Sequence, residues 1–199
     1  MIALAVSLSA GVSAEAQSTT FSAVERRHLA NGELVVRRET RRRGNLRLIG
    51  GTSWQVVNAA PDRVWRAVLD TRGYRRFIPQ VAEARVVRRR TGSQLVYIRH
   101  HSGPVDVGYH LSIQYQNAQQ MARFRVDRSR PHDIRDGWGF FIVTPYGRNR
   151  SLVTFGVLAD VGSGVVTGLL RPRVHEWMLR IPEQLKRHVE NGGGARSGG

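Results

Sequence analysis

The sequence predicts an α+β fold in which a curved antiparallel sheet wraps around a long C-terminal helix. Three observations lead to this prediction. A compact helix lies between two strand-like segments, a long series of strand-like segments follows, and a helical segment with one apolar face comes last. The connections between the strand-like segments are short, which favours antiparallel pairing because parallel strands need long crossovers.

The early helix is predicted to begin near Pro61 and to end by Gly73. Proline suits the first helical position, where its missing N–H costs nothing, and Asp62 in the first turn interacts favourably with the helix dipole. One face of this helix is apolar, with Val64, Trp65, Val68 and Leu69. Strands are predicted on either side of it, at Leu46–Val57 and Val81–Arg90.

The clearest strand pattern runs from Val105 to Tyr115. Alternate residues are apolar or aromatic, namely Val105, Val107, Tyr109, Leu111, Ile113 and Tyr115. Because successive side chains point to opposite faces of a strand, this set is predicted to face the C-terminal helix. Further strands are predicted at Gln94–His101, Met121–Asp127, Trp138–Thr144 and Ser151–Asp160.

The C-terminal helical segment carries one apolar stripe, formed by Val174, Met178, Ile181, Leu185 and Val189 with Trp177 beside it. Pro182 lies inside this pattern, so we expect it to kink the helix or divide it into two. The loop Gly162-Ser163-Gly164 precedes the segment and is expected to act as a hinge. The glycine-rich residues 191–199 are expected to be disordered.

The 199 residues suffice for one domain, which is predicted to span residues 45–190. Residues 17–44 form a lead-in, with a short helix near Val24 and Leu29 and a short strand at Leu34-Val35-Val36. The mostly charged run Arg37–Arg43 is predicted to be solvated.

Residues 1–16 have the character of a secretory signal. An apolar run too short to span a bilayer precedes Ala14-Glu15-Ala16, a small-residue cleavage pattern. No Lys or Arg occurs before Arg26, so the usual basic region is absent. We expect cleavage before Gln17 and export to the periplasm or the extracellular space.

Two groups of residues form a recognisable pattern. The early group is Pro61, Val64-Trp65, Leu69-Asp70, Tyr74, Phe77 and Pro79. The late group is Gly137-Trp138, Thr144-Pro145 and Val153-Thr154-Phe155. In these residues the chain resembles the START-like (SRPBCC) superfamily, whose bacterial members include polyketide cyclase/dehydrase and lipid-transport proteins and coenzyme Q-binding domains. The resemblance implies a helix-grip fold with an apolar pocket between the sheet and the C-terminal helix.

The alternation of the strands and this resemblance together predict the lining of the pocket. A largely apolar wall with a few polar groups is the usual form of a small-molecule site. The residues expected to line it are Trp65, Arg99, Tyr109, Leu111, Ile113, Trp138, Phe140, Phe155, Val174, Trp177 and Met178. An inward aromatic side chain also serves as ordinary core, so ligand contact is a separate hypothesis for each residue.

No set of residues in the sequence forms a recognisable catalytic, metal or cofactor site. There are no cysteines, and the neighbours His100 and His101 point to opposite faces of a strand, so they do not easily share a ligand. Asp106 and His110 fall on the face opposite Tyr109. We expect no metal, no cofactor and binding without catalysis, with a cyclase/aromatase-like enzyme on a polyketide-type substrate as the alternative.

The formal net charge is +16, and every basic residue except Lys186 is arginine. The arginines are spread along the whole chain, which favours a compositional bias over a nucleic-acid site, although nucleic-acid binding stays a third alternative. The expected partner of a monomeric protein is a hydrophobic small molecule or lipid. An anionic membrane surface is a further expected partner if Trp177, with Arg171, Arg173 and Arg180, docks the C-terminal helix. In the other interpretation, Trp177 simply anchors that helix to the core.

Overall fold

Eight antiparallel strands form one sheet in a computed structural model that describes residues 19–103, 105–162 and 171–192. The strands are β1 (Val35–Arg43), β2 (Leu46–Val57), β3 (Val81–Arg90), β4 (Ser93–Ser102), β5 (Val105–Gln116), β6 (Met121–Val126), β7 (Asp136–Pro145) and β8 (Ser151–Asp160). The helices are α1 (Ala23–Ala30), α2 (Pro61–Leu69), α3 (Tyr74–Phe77), α4 (Arg171–Leu179) and α5 (Ile181–Glu190). The signal-like segment, two residues of the expected hinge (Ser163 and Gly164) and residues 193–199 lie outside the described ranges.

The order of the strands across the sheet is β1-β2-β8-β7-β6-β5-β4-β3. Strands β3 to β8 follow one another as neighbours, whereas β2 pairs with β8 and leaves β3 at the opposite edge. Helices α2 and α3 carry the chain from β2 across to β3, and they pack with α5 against one face of the curved sheet. The predicted helix-grip α+β fold is confirmed.

Strand β1 is longer than the sequence predicted. It pairs with β2 along its whole length, from Val35 opposite Trp54 to Arg43 opposite Leu46. Most side chains after Val36 are exposed, so the charged run is solvated and is also part of a strand. Backbone hydrogen bonds to β2, rather than burial of apolar side chains, place these residues in the sheet. The sheet therefore begins within the predicted lead-in.

Helix α1 packs on the face of the sheet opposite α5. Its apolar contact there is a separate cluster formed by Leu29, Val35, Trp54 and Val56. The first turn has a capping box, in which the Glu25 N–H donates to Ser22 Oγ at 3.2 Å and the Ser22 N–H donates to Glu25 Oε2 at 2.7 Å. Arg37 of β1 donates to both carboxylate oxygens of Glu25 at 2.8 Å, which ties the helix to the sheet.

Acid is expected to weaken the attachment of α1 through Glu25. The hydrogen bonds from Arg37, and next from the Ser22 backbone, lower the pKa of Glu25 from 4.5 to about 2. Because the folded-state pKa is the lower one, the stability that Glu25 contributes is complete above pH 4.5 and is lost as the pH falls towards 2. Glu25→Gln should therefore flatten the dependence of the unfolding temperature on pH in this interval. Glu39→Gln, which removes an exposed partner of Arg41, is the charge-matched control, and equal profiles for the two variants would contradict the prediction.

The C-terminal helix is divided in two, as Pro182 led us to expect. Helix α4 ends at Leu179 and α5 begins at Ile181, while the N–H of Arg180 donates to the carbonyls of Glu176 and Trp177 at 3.2 Å. Pro182 lies in the first turn of α5, where its missing N–H needs no partner. Over residues 19–103, 105–162 and 171–192, no helix has the length and apolarity to cross a membrane.

Candidate ligand-binding cavity

A cavity of about 180 Å³ lies between the inner face of the sheet and the C-terminal helices. Strands β4 to β8 line one side of it, and helices α2 to α5 line the other. Most of its wall is apolar, and no described wall residue is Asp, Glu, Lys or Arg. An apolar space of this kind, with a few convergent polar groups, is the usual form of a small-molecule site.

Eight of the residues predicted to line a pocket belong to this wall. They are Tyr109, Leu111, Ile113, Trp138, Phe155, Val174, Trp177 and Met178. The β5 residues face the cavity because the alternation along that strand follows the predicted pattern. Trp177 and Met178 lie three and four residues after Val174 on α4, so they share one side of that helix with it. Contact of these residues with a ligand remains a prediction.

The structure corrects the prediction for β7. Phe140 is on the outer face, where a Cβ added at Gly156 of β8 would overlap the Phe140 ring. The inner face instead carries Gly139, whose missing Cβ leaves room for the ring of Phe124 in the cavity wall. The sequence did not distinguish the two faces because Phe140 and its neighbour Phe141, which lines the cavity, are both aromatic.

Trp138 shares the outer face of β7 with Phe140. Its ring lies under the guanidinium of Arg43 at 5.6 Å, while the adjacent Gly137 faces Ala159 and Val126 of the wall. Trp138 is therefore a wall residue whose indole ring lies on the outer face of the sheet.

Arg99 is on the outer face of β4 and is not part of the wall. Its neighbours Ile98 and His100 are wall residues, so alternation turns Arg99 away from the cavity. The Arg99 Nε donates to Asp106 Oδ1 at 2.7 Å, and its Nη2 donates to the other carboxylate oxygen. These hydrogen bonds raise the pKa of Arg99 and lower the pKa of Asp106.

Trp65 packs in the core outside the cavity wall. Its ring meets Tyr115 edge-on with 6.2 Å between centroids, and its Nε1 donates to Asn117 Oδ1 at 3.3 Å. The α2 residue in the wall is Val68, which lies almost one turn further along. Trp65 therefore fixes α2 on the sheet, and the prediction of Trp65 as a lining residue is corrected.

Helix α4 presents Trp177 to the cavity, whereas Arg173 of this helix and Arg180, which follows it, do not belong to the cavity wall. Trp177 is half-buried in the wall, and the choice between the core-anchor and membrane-docking interpretations of this residue stays open. Arg173 is exposed, and Arg180 forms ion pairs with Glu176 at 3.1 Å and Glu183 at 3.6 Å. The side chain of Arg171 is not among those that the structure describes. Contact of these arginines with a membrane stays a prediction.

Sequence reasoning missed several wall residues, among them Tyr74, Phe77, Ile98, His100, Phe124 and Phe141. On β4 the run Leu95-Val96-Tyr97-Ile98 is apolar at successive positions, so alternation gives no preferred face. The register across the β4–β5 hairpin sets the face, because Ile98 lies opposite Tyr109 and His100 lies opposite Val107. The position of His100 could have been predicted from the short turn after Ser102. Pairing residues outward from that turn places His100 opposite Val107, on the face that lines the cavity.

His100 and Tyr109 form a polar part of the wall. Their rings stack with 5.6 Å between centroids and 20° between planes. His100 Nε2 lies 2.8 Å from the Tyr109 hydroxyl oxygen, and His100 Nδ1 lies 3.1 Å from the carbonyl oxygen of Pro79. Burial lowers the pKa of His100 and raises the pKa of Tyr109, so both side chains are neutral near pH 7.

Protonation of His100 is expected to destabilise the fold in mild acid. Its pKa is lowered from 6.5 by burial, so the unfolded chain takes up the proton more readily than the folded one. Stability should thus be complete above pH 6.5 and should fall as the pH drops towards the folded-state pKa. NMR titration of the His100 ring should give a pKa below 6.5, and a value above it would contradict the prediction. His188→Gln is the control variant for the stability measurement. Burial also lowers the pKa of His188, so this variant removes a second histidine that could cause a similar loss of stability in acid.

The described part of the chain contains no group of three or more His, Asp or Glu side chains arranged to hold a metal ion. The polar groups of the cavity wall lie on an apolar background.

An antiparallel sheet that grips C-terminal helices over an apolar cavity defines a START-like fold of the type that binds hydrophobic ligands. The chain belongs to the polyketide cyclase/dehydrase and lipid transport family, whose sequence model matches residues 57–184. No curated protein matches the chain.

Solved structures with the same fold include proteins of different activities. A STAR-related lipid transfer protein from Xanthomonas axonopodis superposes with a TM-score of 0.60 at 18% identity, over 79% of this chain and 98% of its own. The Zhui aromatase/cyclase from Streptomyces sp. R1128 gives 0.59 at 15% identity, over 80% and 99%. A START superfamily protein from Mycobacterium smegmatis gives 0.59 at 14% identity, over 70% and 96%. At these identities the likeness concerns the fold alone.

Proposed function

We propose that this protein binds or transports a lipid or another hydrophobic small molecule in the cavity, without catalysing a reaction. The observation that carries the proposal is the cavity itself, about 180 Å³ with an almost wholly apolar wall. Apolar surface that faces such a space is stabilised when a hydrophobic molecule takes the place of water. The family to which the chain belongs includes lipid-transport proteins, which supports the same function.

The size of the cavity bears on the kind of ligand. An apolar protein cavity of roughly 150 Å³ is enough to hold benzene. The 180 Å³ available here thus suits at least one ring or one segment of an acyl chain.

Cyclase or aromatase chemistry is the second candidate, and the observation that favours it is the structural likeness to an aromatase/cyclase. His100 and Tyr109 would be the acid–base groups of such an enzyme. However, the described wall has no carboxylate or guanidinium, and both neutral side chains already have hydrogen-bond partners. Turnover of a polyketide-type substrate that is lost in Tyr109→Phe would favour the enzyme over the carrier.

Mass spectrometry of organic extracts from the protein purified from its native host tests the binding proposal. We expect an apolar compound to co-purify with the wild type at a nearly equimolar ratio of compound to protein. Val157→Trp, which directs a large side chain into the cavity, is the matched control and should lack the compound. Identical extracts from the two proteins would contradict the proposal.

We also propose that the protein is exported, with cleavage after Ala16, because residues 1–16 carry the signal-like pattern described above. Intact-mass measurement on protein from the native host should give a chain that begins at Gln17. A chain that retains Met1 in the cytoplasmic fraction would overturn this proposal.

A further inference from the structure

We propose that the His100–Tyr109 pair selects ligands that donate a hydrogen bond, namely apolar molecules that carry an alcohol or phenol hydroxyl. This inference rests on the proposed binding function and adds the polar chemistry of the ligand.

The carbonyl of Pro79 fixes the tautomer of His100. A carbonyl oxygen can only accept a hydrogen bond, so the proton of the neutral imidazole is on Nδ1, which lies 3.1 Å from that oxygen. A neutral imidazole carries one proton, so Nε2 is an acceptor. The hydroxyl of Tyr109, 2.8 Å away, must therefore donate its hydrogen to Nε2.

This donation leaves the oxygen of Tyr109 as an acceptor. A hydroxyl has one hydrogen and two lone pairs, and His100 Nε2 is its one hydrogen-bond partner among the described residues. Burial raises the pKa of Tyr109, yet the residue is half-buried and not fully buried. It belongs to the cavity wall. The hydroxyl hydrogen of Tyr74, also in the wall, is likewise committed, since it donates to the Val68 carbonyl at 3.0 Å.

The consequence for a ligand follows from the cost of burying polar groups. A ligand hydroxyl that donates to Tyr109 replaces its bond to water with one inside an apolar cavity. An ether oxygen at the same position meets a tyrosine whose hydrogen is already used, so it loses its hydration without compensation. The pair therefore discriminates between donor and acceptor ligands of the same shape.

Three probes of similar size separate these cases: p-cresol offers a hydroxyl donor, p-methylanisole offers an ether acceptor, and p-xylene offers neither. Dissociation constants for each are measured by NMR titration of the wild type, His100→Leu and the double variant His100→Leu/Tyr109→Phe. Each constant is expressed relative to that of p-xylene on the same protein, which cancels changes in general hydrophobicity. The double variant lacks both polar groups of the His100–Tyr109 pair and serves as the reference.

In the wild type the relative preference for p-cresol is expected to exceed that of the double variant by about threefold to tenfold, the effect of one net hydrogen bond. The relative preference for p-methylanisole should equal that of the double variant. In His100→Leu the hydrogen of Tyr109 is released, so p-methylanisole should gain by a similar factor while p-cresol keeps its advantage.

Two results would overturn the inference while leaving cavity binding intact: an equal p-cresol preference in the wild type and the double variant, or a wild-type gain for p-methylanisole. If none of the probes binds the wild type, the proposed function fails together with the inference. Nitrogen NMR of the His100 ring gives a readout that needs no variant. The signals should show the proton on Nδ1, and a proton on Nε2 would contradict the assignment.

Discussion

Val157→Trp is expected to abolish the binding of hydrophobic ligands while leaving the fold intact. Val157 lies on the inner face of β8, opposite Gly139, and its half-buried side chain belongs to the cavity wall. Tryptophan at this position would fill much of the 180 Å³ that a ligand needs. Because the added ring enters an existing space, stability should be kept or increased.

The measurement is the dissociation constant of p-xylene by NMR titration, together with the unfolding temperature. We expect affinity to fall at least about tenfold, since one ring-sized ligand and the new indole compete for the same volume. Leu158→Trp is the matched control, because Leu158 is the next residue on β8 and points to the outer face opposite Trp138. Wild-type affinity in Val157→Trp would show that hydrophobic ligands bind elsewhere.

Leu185→Ala is expected to cause the largest loss of stability, about 2–5 kcal/mol. Leu185 is at the centre of the buried face of α5 and is fully buried between that helix and the sheet. Its removal costs the transfer free energy of the side chain and leaves a void where close packing holds the helix. Since α5 follows α4 directly, the loss should also weaken the binding of p-xylene.

Denaturant unfolding measures this effect as a change in the free energy of unfolding. Arg187→Ala on the same helix is the control, because Arg187 is exposed and its ion pair with Glu183 contributes only about 0.3–0.5 kcal/mol. A loss below about 1 kcal/mol for Leu185→Ala would mean that α5 is not a principal part of the core.

Local chemistry was enough to predict most elements of this fold, with the length of β1 and the short helix α3 as the exceptions. Proline at position 61 marks the beginning of α2, and Pro182 marks the break between α4 and α5. On β5 apolar and polar residues alternate strictly, so the face that lines the cavity followed from the sequence. The bounds of β2, β3 and β8 agree with the predicted strands to the residue.

The candidate site was only partly predictable, because the faces of β4 and β7 depend on register. Both strands have apolar or aromatic residues at successive positions, such as Tyr97-Ile98 and Phe140-Phe141, so hydrophobicity alone allows either face. A shift of one residue exchanges the two faces, which is why Phe140 and Arg99 were placed in the pocket and Phe141 and His100 were not.

The sequence by itself determined the class of fold, the positions of all its helices except α3 and the apolar character of its interior, since these depend on periodicity and on proline. Only the tertiary structure decided which polar groups enter the cavity. His100 is brought beside Tyr109 by the pairing of β4 with β5, and its tautomer is set by a carbonyl 21 residues earlier in the chain. Gly139 and Gly156 likewise leave room for the rings of Phe124 and Phe140 on neighbouring strands. Contacts of this kind arise from strand register, which no single segment of the sequence encodes.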